Sequence, residues 1–172
     1  MLILESFTKA LNDSNIKICV KAIKAFEEIV PIYKTAVEQN INMIMNSIAN
    51  GLSSTNSAVK NNSDVLIDLL IDTVENVVLI QPLVHLALYA NIRSKPLIIQ
   101  HLCEILPDVY KSKPQIISKY VVHAASLLLD ESKMEIKTVV VRLIQILHNL
   151  MGEGFIELLP SSKIDKVNEY LK

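Results

Sequence analysis

Tryptophan is absent from this chain of 172 residues, glycine occurs three times, and aromatic residues make up 5% of it. A sandwich or barrel needs many glycine-rich turns, so Gly51, Gly152 and Gly154 alone argue against one. Cysteine is as scarce: Cys19 and Cys103 suit a reduced interior better than a disulfide framework. With a formal net charge of −1 there is no overall electrostatic footprint for nucleic acid, whose binding rests on neutralising phosphates. No nucleic-acid partner is expected. The beginning of the chain lacks a charged leader followed by an apolar stretch, so a secretory signal is not expected. The most lipophilic window, VENVVLIQPLVHLALYANI, carries Glu75, Asn76, Gln81, Pro82 and His85 and cannot span a bilayer. No membrane partner is expected, and the composition points to the cytosol or nucleus.

Signatures of chemistry are missing too. There is no G-x-G-x-x-G, G-x-x-x-x-G-K or G-x-S-x-G, so nothing cradles a phosphate or presents a nucleophile. No C-x-x-C or H-x-x-x-H spacing occurs. His101 and Cys103 are two apart and point away from each other on a helix. His85, His123 and His148 stand singly within helical runs, where a structural role is the plainer one. Catalytic residues, cofactors and metals are all expected to be none, and the chain is not expected to be an enzyme.

Aliphatic residues are what the chain does have. Hydrophobic residues reach 51% and the mean hydropathy is +0.35, with apolar positions at helical spacing almost throughout. Ile136, Val140, Leu143, Leu147 and Leu150 share one face, and so do Ile98, Leu102, Ile105 and Val109. The run Val139–Val141 could form a strand core, but its neighbours keep the helical period, so it is assigned to helix. Pro82, Pro96 and Pro114 each stand before an apolar run, where a missing N–H costs nothing at the first helical position. Pro31 and Pro107 fall late in such runs and should kink or end them. The polar clusters NDSN (12–15), SSTN (53–56), NIRSK (91–95) and DESK (130–133) should supply N-capping groups. The outcome is an all-α chain of about nine or ten helices with short connections.

These clusters are nearly periodic. Asn15, Asn56, Asn91 and Ser132 are spaced 35 to 41 residues apart. A helix-turn-helix unit recurring at this period is the signature of a HEAT-type α-solenoid, in which each pair leaves an apolar face for the next pair to cover. The pairs are expected at 1–37, 38–80, 81–112 and 113–151, with a shorter closing pair at 153–172, all in a single domain covering 1–172. Stacking would line up Lys60, Arg93, Lys95, Lys133 and Lys137 along one rim. A row of bases steers an acidic partner and fixes its register. The helix dipole does not explain them, because it disfavours cations at an N-terminus.

One acidic stripe stands out. Asp64, Asp68 and Asp72 are four apart, with Glu75 three further on. Like charges at this spacing cost a few tenths of a kcal/mol per pair. A single helix face does not bring oxygen ligands together from several directions, as hard cations require. The stripe therefore reads as a solvated face, bridged to lysines of a neighbouring helix.

The four copies resemble HEAT repeats over essentially the whole chain. Residues 127–171, LLLDESKMEIKTVVVRLIQILHNLMGEGFIELLPSSKIDKVNEYL, are similar to the closing repeats of TOG domains, the tubulin-binding modules of microtubule polymerases, CLASP proteins and related ciliary proteins. The similar elements are the acidic turn before Ile136-Lys137, the MGEGF corner and LPSSK leading a last amphipathic helix. The resemblance implies that the intra-repeat turns line one edge of a flat paddle and that this edge binds tubulin. Carried onto this chain, the edge holds Asn15, Lys17, Asn56, Lys60, Asn91, Arg93, Lys95, Lys133 and Lys137. The same resemblance implies a cytoplasmic, cytoskeletal location such as the spindle, centrosome or cilium. The chain departs from the pattern in two places: a TOG domain usually has six repeats and presents a tryptophan at its first turn. The alternative is a HEAT-repeat scaffold or dimerisation domain for a protein other than tubulin.

Overall fold

A computed structural model describes residues 2–172, with side chains from residue 3 onward. Its elements are α1 (Leu2–Leu11), α2 (Ile16–Ile29), α3 (Lys34–Gln39), α4 (Ile41–Leu52), α5 (Ser57–Thr73), α6 (Asn76–Tyr89) and α7 (Lys95–Ser112). Next come α8 (Pro114–Ile116), a π turn (Ile117–Val121) and α9 (Val122–Leu128), which run on as one rod, then α10 (Met134–Met151), α11 (Glu153–Glu157) and α12 (Ser161–Tyr170). No strand occurs among the described residues, and the valines at 139–141 lie inside α10. The helices beyond the expected number are the short α3 and α11.

Helices pair as first and second members, and like members stack on like. α1, α4, α6 and α9 form one layer, and α2, α5, α7 and α10 the other. This is the two-layer α-solenoid that the repeat period predicts. The interface between layers is mainly aliphatic, with Phe26, Ile44, Leu66, Leu79, Leu102 and Leu143 among the side chains sealed from solvent. One such leucine or isoleucine contributes roughly 1.5–3 kcal/mol on burial. Packing between the layers is tight at Gly51 of α4, where a Cβ would stand 2.1 Å from the Ser63 hydroxyl of α5. At the other end Gly152 stops α10 with φ +60°, backbone that only glycine adopts without strain.

Proline placement departs from expectation at two positions. Pro82 does not open the third pair; it is buried in the middle of α6, which starts at Asn76. The third pair therefore begins near residue 76, not at 81. Pro107 likewise sits inside α7, and the helix continues to Ser112. Each proline leaves one carbonyl a turn earlier without its helical donor, yet the apolar face it lies on is worth more than one backbone bond. Pro96 and Pro114 do occupy first-turn positions, and Pro31 lies just past the end of α2.

Candidate functional site: the row of corners

Each corner joins the end of a first-layer helix to the start of its second-layer partner. At the first, Asn15 Oδ1 accepts from the Lys17 amide at 3.0 Å, and Asn15 itself is held by Asp13. At the second, Asn56 Oδ1 accepts from the Val59 amide at 3.1 Å. These two asparagines cap α2 and α5 as expected. The third corner differs. Asn91 Oδ1 accepts from the Arg93 amide at 3.0 Å, and its carbonyl takes the Ser94 hydroxyl at 2.8 Å, so Asn91 closes the turn while Ser94 stands at the cap. The fourth has no side-chain cap at all: Lys133 occupies that position, and the polar cluster 130–133 does not cap α10.

The basic residues divide into two groups. Lys17, Arg93 and Lys133 are exposed, and Lys60 and Lys137 are half-buried. Among the described residues none of these five has an ion-pair partner. Lys95, expected on the same edge, is different in being paired within the chain. Its ammonium lies 2.6 Å from Glu131 of the next corner, with side-chain exposures of 12% and 23%. The fourth corner is also held from the far side, where Lys163 of α12 binds Asp130 at 2.6 Å and Lys166 donates to the Leu129 carbonyl. The lysine contact holds the exposed Asp130 carboxyl below the usual carboxylate range. The two acids of this corner are thus both paired with lysines of the chain itself.

Sequence reasoning missed the apolar half of the rim. Ile16, Ile92 and Met134 stand at the tips of the first, third and fourth corners, exposed by 48%, 38% and 76%. Each is next to one of the exposed bases. Tyr89, at 72%, lies just before the third corner and packs its ring against His85, 5.1 Å between centroids. The signal was present: a large apolar residue directly after the turn-closing asparagine, Ile16 after Asn15 and Ile92 after Asn91.

The acidic stripe is bridged, but not to lysine. His101 of α7, only 4% exposed, reaches across to α5. Its Nε2 is 2.7 Å from Asp64 Oδ1, and its Nδ1 is 3.4 Å from Asp68 Oδ1 and 3.2 Å from Glu104 Oε2. Among the described residues, Asp68, His101 and Glu104 are the group whose ligand atoms gather, all within 4.8 Å of one another. Burial raises the Asp68 carboxyl above its ordinary range, His101 opposes this, and the neighbouring Asp64, Glu104 and Asp72 add to it. Several cross-repeat contacts share nearly one spacing. Asp64–His101 and Lys95–Glu131 are 37 and 36 residues apart, so an acid and a basic side chain one repeat apart were the clue, and the Glu38 carboxylate takes the Glu75 backbone amide at the same spacing of 37.

The architecture defines the class, a HEAT-type α-solenoid with its intra-repeat corners along one edge. Comparison with solved structures gives the particular version of that fold. The MAST/Orbit N-terminal domain superposes with a TM-score of 0.70 at 14% identity, covering 98% of this chain and 78% of that one. A structure solved in work on TOG–tubulin binding specificity, microtubule dynamics and mitotic spindle formation gives 0.62 at 11%, covering 98% and 81%. The chain thus has the TOG-type fold. In sequence it is 27% identical over 113 residues to the human TOG array regulator of axonemal microtubules protein 1, which covers 65% of this chain. It is also 27% identical over 176 aligned positions to the Crescerin-like protein che-12 of Caenorhabditis elegans, covering 95% of it. The chain spans 7% and 13% of those two relatives' own lengths. No family model matches it.

Proposed function

We propose that this chain is a non-catalytic module that binds tubulin through its row of corners and acts on microtubules in the cytoskeleton, in a cilium-related setting. The observation that carries the reading is the repetition of one surface unit, an exposed apolar tip beside an unpaired base: Ile16-Lys17, Ile92-Arg93 and Lys133-Met134. A base without an intramolecular partner attracts an acidic protein surface at long range, and the apolar tip supplies area to bury on contact. Axonemal microtubule regulation is the stated role of the relative named above, and the TOG-type fold supports the same edge. Asn15, Asn56 and Asn91 act by holding the corners in shape, with Lys60 and Lys137 at the margin. Lys95 contributes by fixing the third corner against the fourth.

The test is co-elution with αβ-tubulin at low salt. Arg93→Glu combined with Lys133→Glu should abolish it while circular dichroism stays unchanged, and Lys95→Glu should lower thermal stability as well as binding. Failure of the unaltered chain to bind tubulin at low salt would sink the reading. A second reading, a scaffold or dimerisation domain, draws on one observation. Phe7, Ala10, Ile18 and Ala22 line an open apolar groove of about 340 Å³ on the outer face of the first pair. A concentration-dependent dimer in light scattering, without tubulin affinity, would favour it.

A further inference from the structure

The cluster around His101 poses a problem of valence. A neutral imidazole has one N–H and one lone pair. Here Nε2 faces Asp64 at 2.7 Å, and Nδ1 faces Asp68 and Glu104 at 3.4 and 3.2 Å. All three facing atoms are carboxylate oxygens, which accept and do not donate. If Nε2–H donates to Asp64, the buried Nδ1 lone pair points at two more lone-pair donors with nothing between them. A proton shared between Nδ1 and one of these carboxylates, or a metal ion at Nδ1, removes that conflict.

We propose that Nδ1 of His101, a carboxylate oxygen of Asp68 and one of Glu104 bind a divalent zinc ion that ties α5 to α7. The donor set is one imidazole nitrogen and two carboxylate oxygens, which zinc accepts with a solvent molecule in the open fourth position. Asp64 completes the arrangement from behind. A metal-bound histidine generally donates its other ring N–H to a carboxylate, which fixes the tautomer and raises the basicity of the ligating nitrogen. The ligands come from two neighbouring helices. His101 and Glu104 share a face of α7 at a spacing of three, and Asp64 and Asp68 share one of α5 at four. That removes the objection that one acidic helix face cannot surround an ion. A proton on Nδ1 supplies one positive charge among three carboxylates, whereas zinc supplies two. The site lies within the second-helix layer and does not depend on how the corners are used.

Zinc chloride alone, titrated into the purified chain in a calorimeter at pH 7.5, should bind at one equivalent and raise the melting temperature. Asp68→Asn and Glu104→Gln, both exposed and close in shape, should each weaken the affinity tenfold or more while the zinc-free protein keeps its fold. Asp64→Asn should weaken it about 10–100-fold through the imidazole. Nitrogen-15 NMR of the His101 ring should show Nδ1 metal-bound and Nε2 carrying the proton. Three results would each overturn the proposal: no zinc bound, unchanged affinity in Asp68→Asn and Glu104→Gln, or an imidazolium spectrum that zinc does not alter.

Discussion

At the first two corners an asparagine oxygen closes the turn within three residues of itself, whereas the last two add ion pairs that reach 33 and 36 residues along the chain. Between the first and second corners the Asn50 amide donates to Asn12 Oδ1 at 3.0 Å, a neutral contact. The difference is one of range. A capped corner stabilises its own helix and says nothing to its neighbour. A lysine-latched corner ties three successive pairs together, because Lys95 belongs to α7, Glu131 to the fourth turn and Lys163 to α12. Register between the first two pairs therefore rests on close packing with a neutral hydrogen bond, and among the C-terminal pairs on packing plus charge.

The strongest way to break the N-terminal side is at Gly51, where α4 packs tightly on α5. Gly51→Val should destabilise the fold by about 3 kcal/mol in denaturant unfolding, since its added methyls would press on the Ser63 and Val59 side chains of α5. Gly51→Ala should lose less, because its Cβ meets chiefly the Ser63 hydroxyl. On the C-terminal side Glu131→Ala should cost about 1 kcal/mol by leaving a largely enclosed ammonium unpaired. Exchanging the pair, Lys95→Glu with Glu131→Lys, should restore part of that loss. Asn56→Ala should also cost about 1 kcal/mol, but its effect should not change with salt, whereas the Glu131→Ala effect should shrink at 1 M salt.

The smallest effect sharpens the comparison through pH. Asp130 is held below its ordinary carboxylate range by Lys163, so its contribution is present above the unfolded carboxylate pKa and lost as pH falls through the folded one. Lys163→Met should flatten that acid limb of the melting-temperature profile. Asp68 has the opposite sign: with its folded carboxyl raised, it opposes folding at neutral pH and ceases to on protonation. In zinc-free protein, Asp68→Asn should raise the neutral-pH melting temperature slightly.

Much of this fold was legible in the sequence. The apolar spacing of Ile136, Val140, Leu143 and Leu147 is local information, and all four are buried on one face of α10. The repeat period was likewise readable from the capping clusters. Pro82 was misplaced because the sequence cannot tell a proline opening a helix from one tolerated inside it; packing on α4 and α7 decides. The ion pair of Lys95 was not legible for a related reason. Equivalence with Lys60 and Lys137 gave its position on the rim, but its rotamer is set by Glu131, a residue one repeat away. Arg93, two residues before it, points to solvent without such a partner.

The two thiols turn the comparison into something that can be timed. Cys19 is buried in α2, donating to the Leu11 carbonyl beneath the first corner, and Cys103 is buried in α7, with its pKa pushed up to about 12 by burial. Neither presents a reactive thiolate while its pair stays closed. Alkylation is thus a clock that starts only when the surrounding helices part. With one clock in each half and no third cysteine in the chain, peptide mass spectrometry under dilute denaturant would time the two openings separately. The latched half should open last, with Cys103 still protected after Cys19 has been marked.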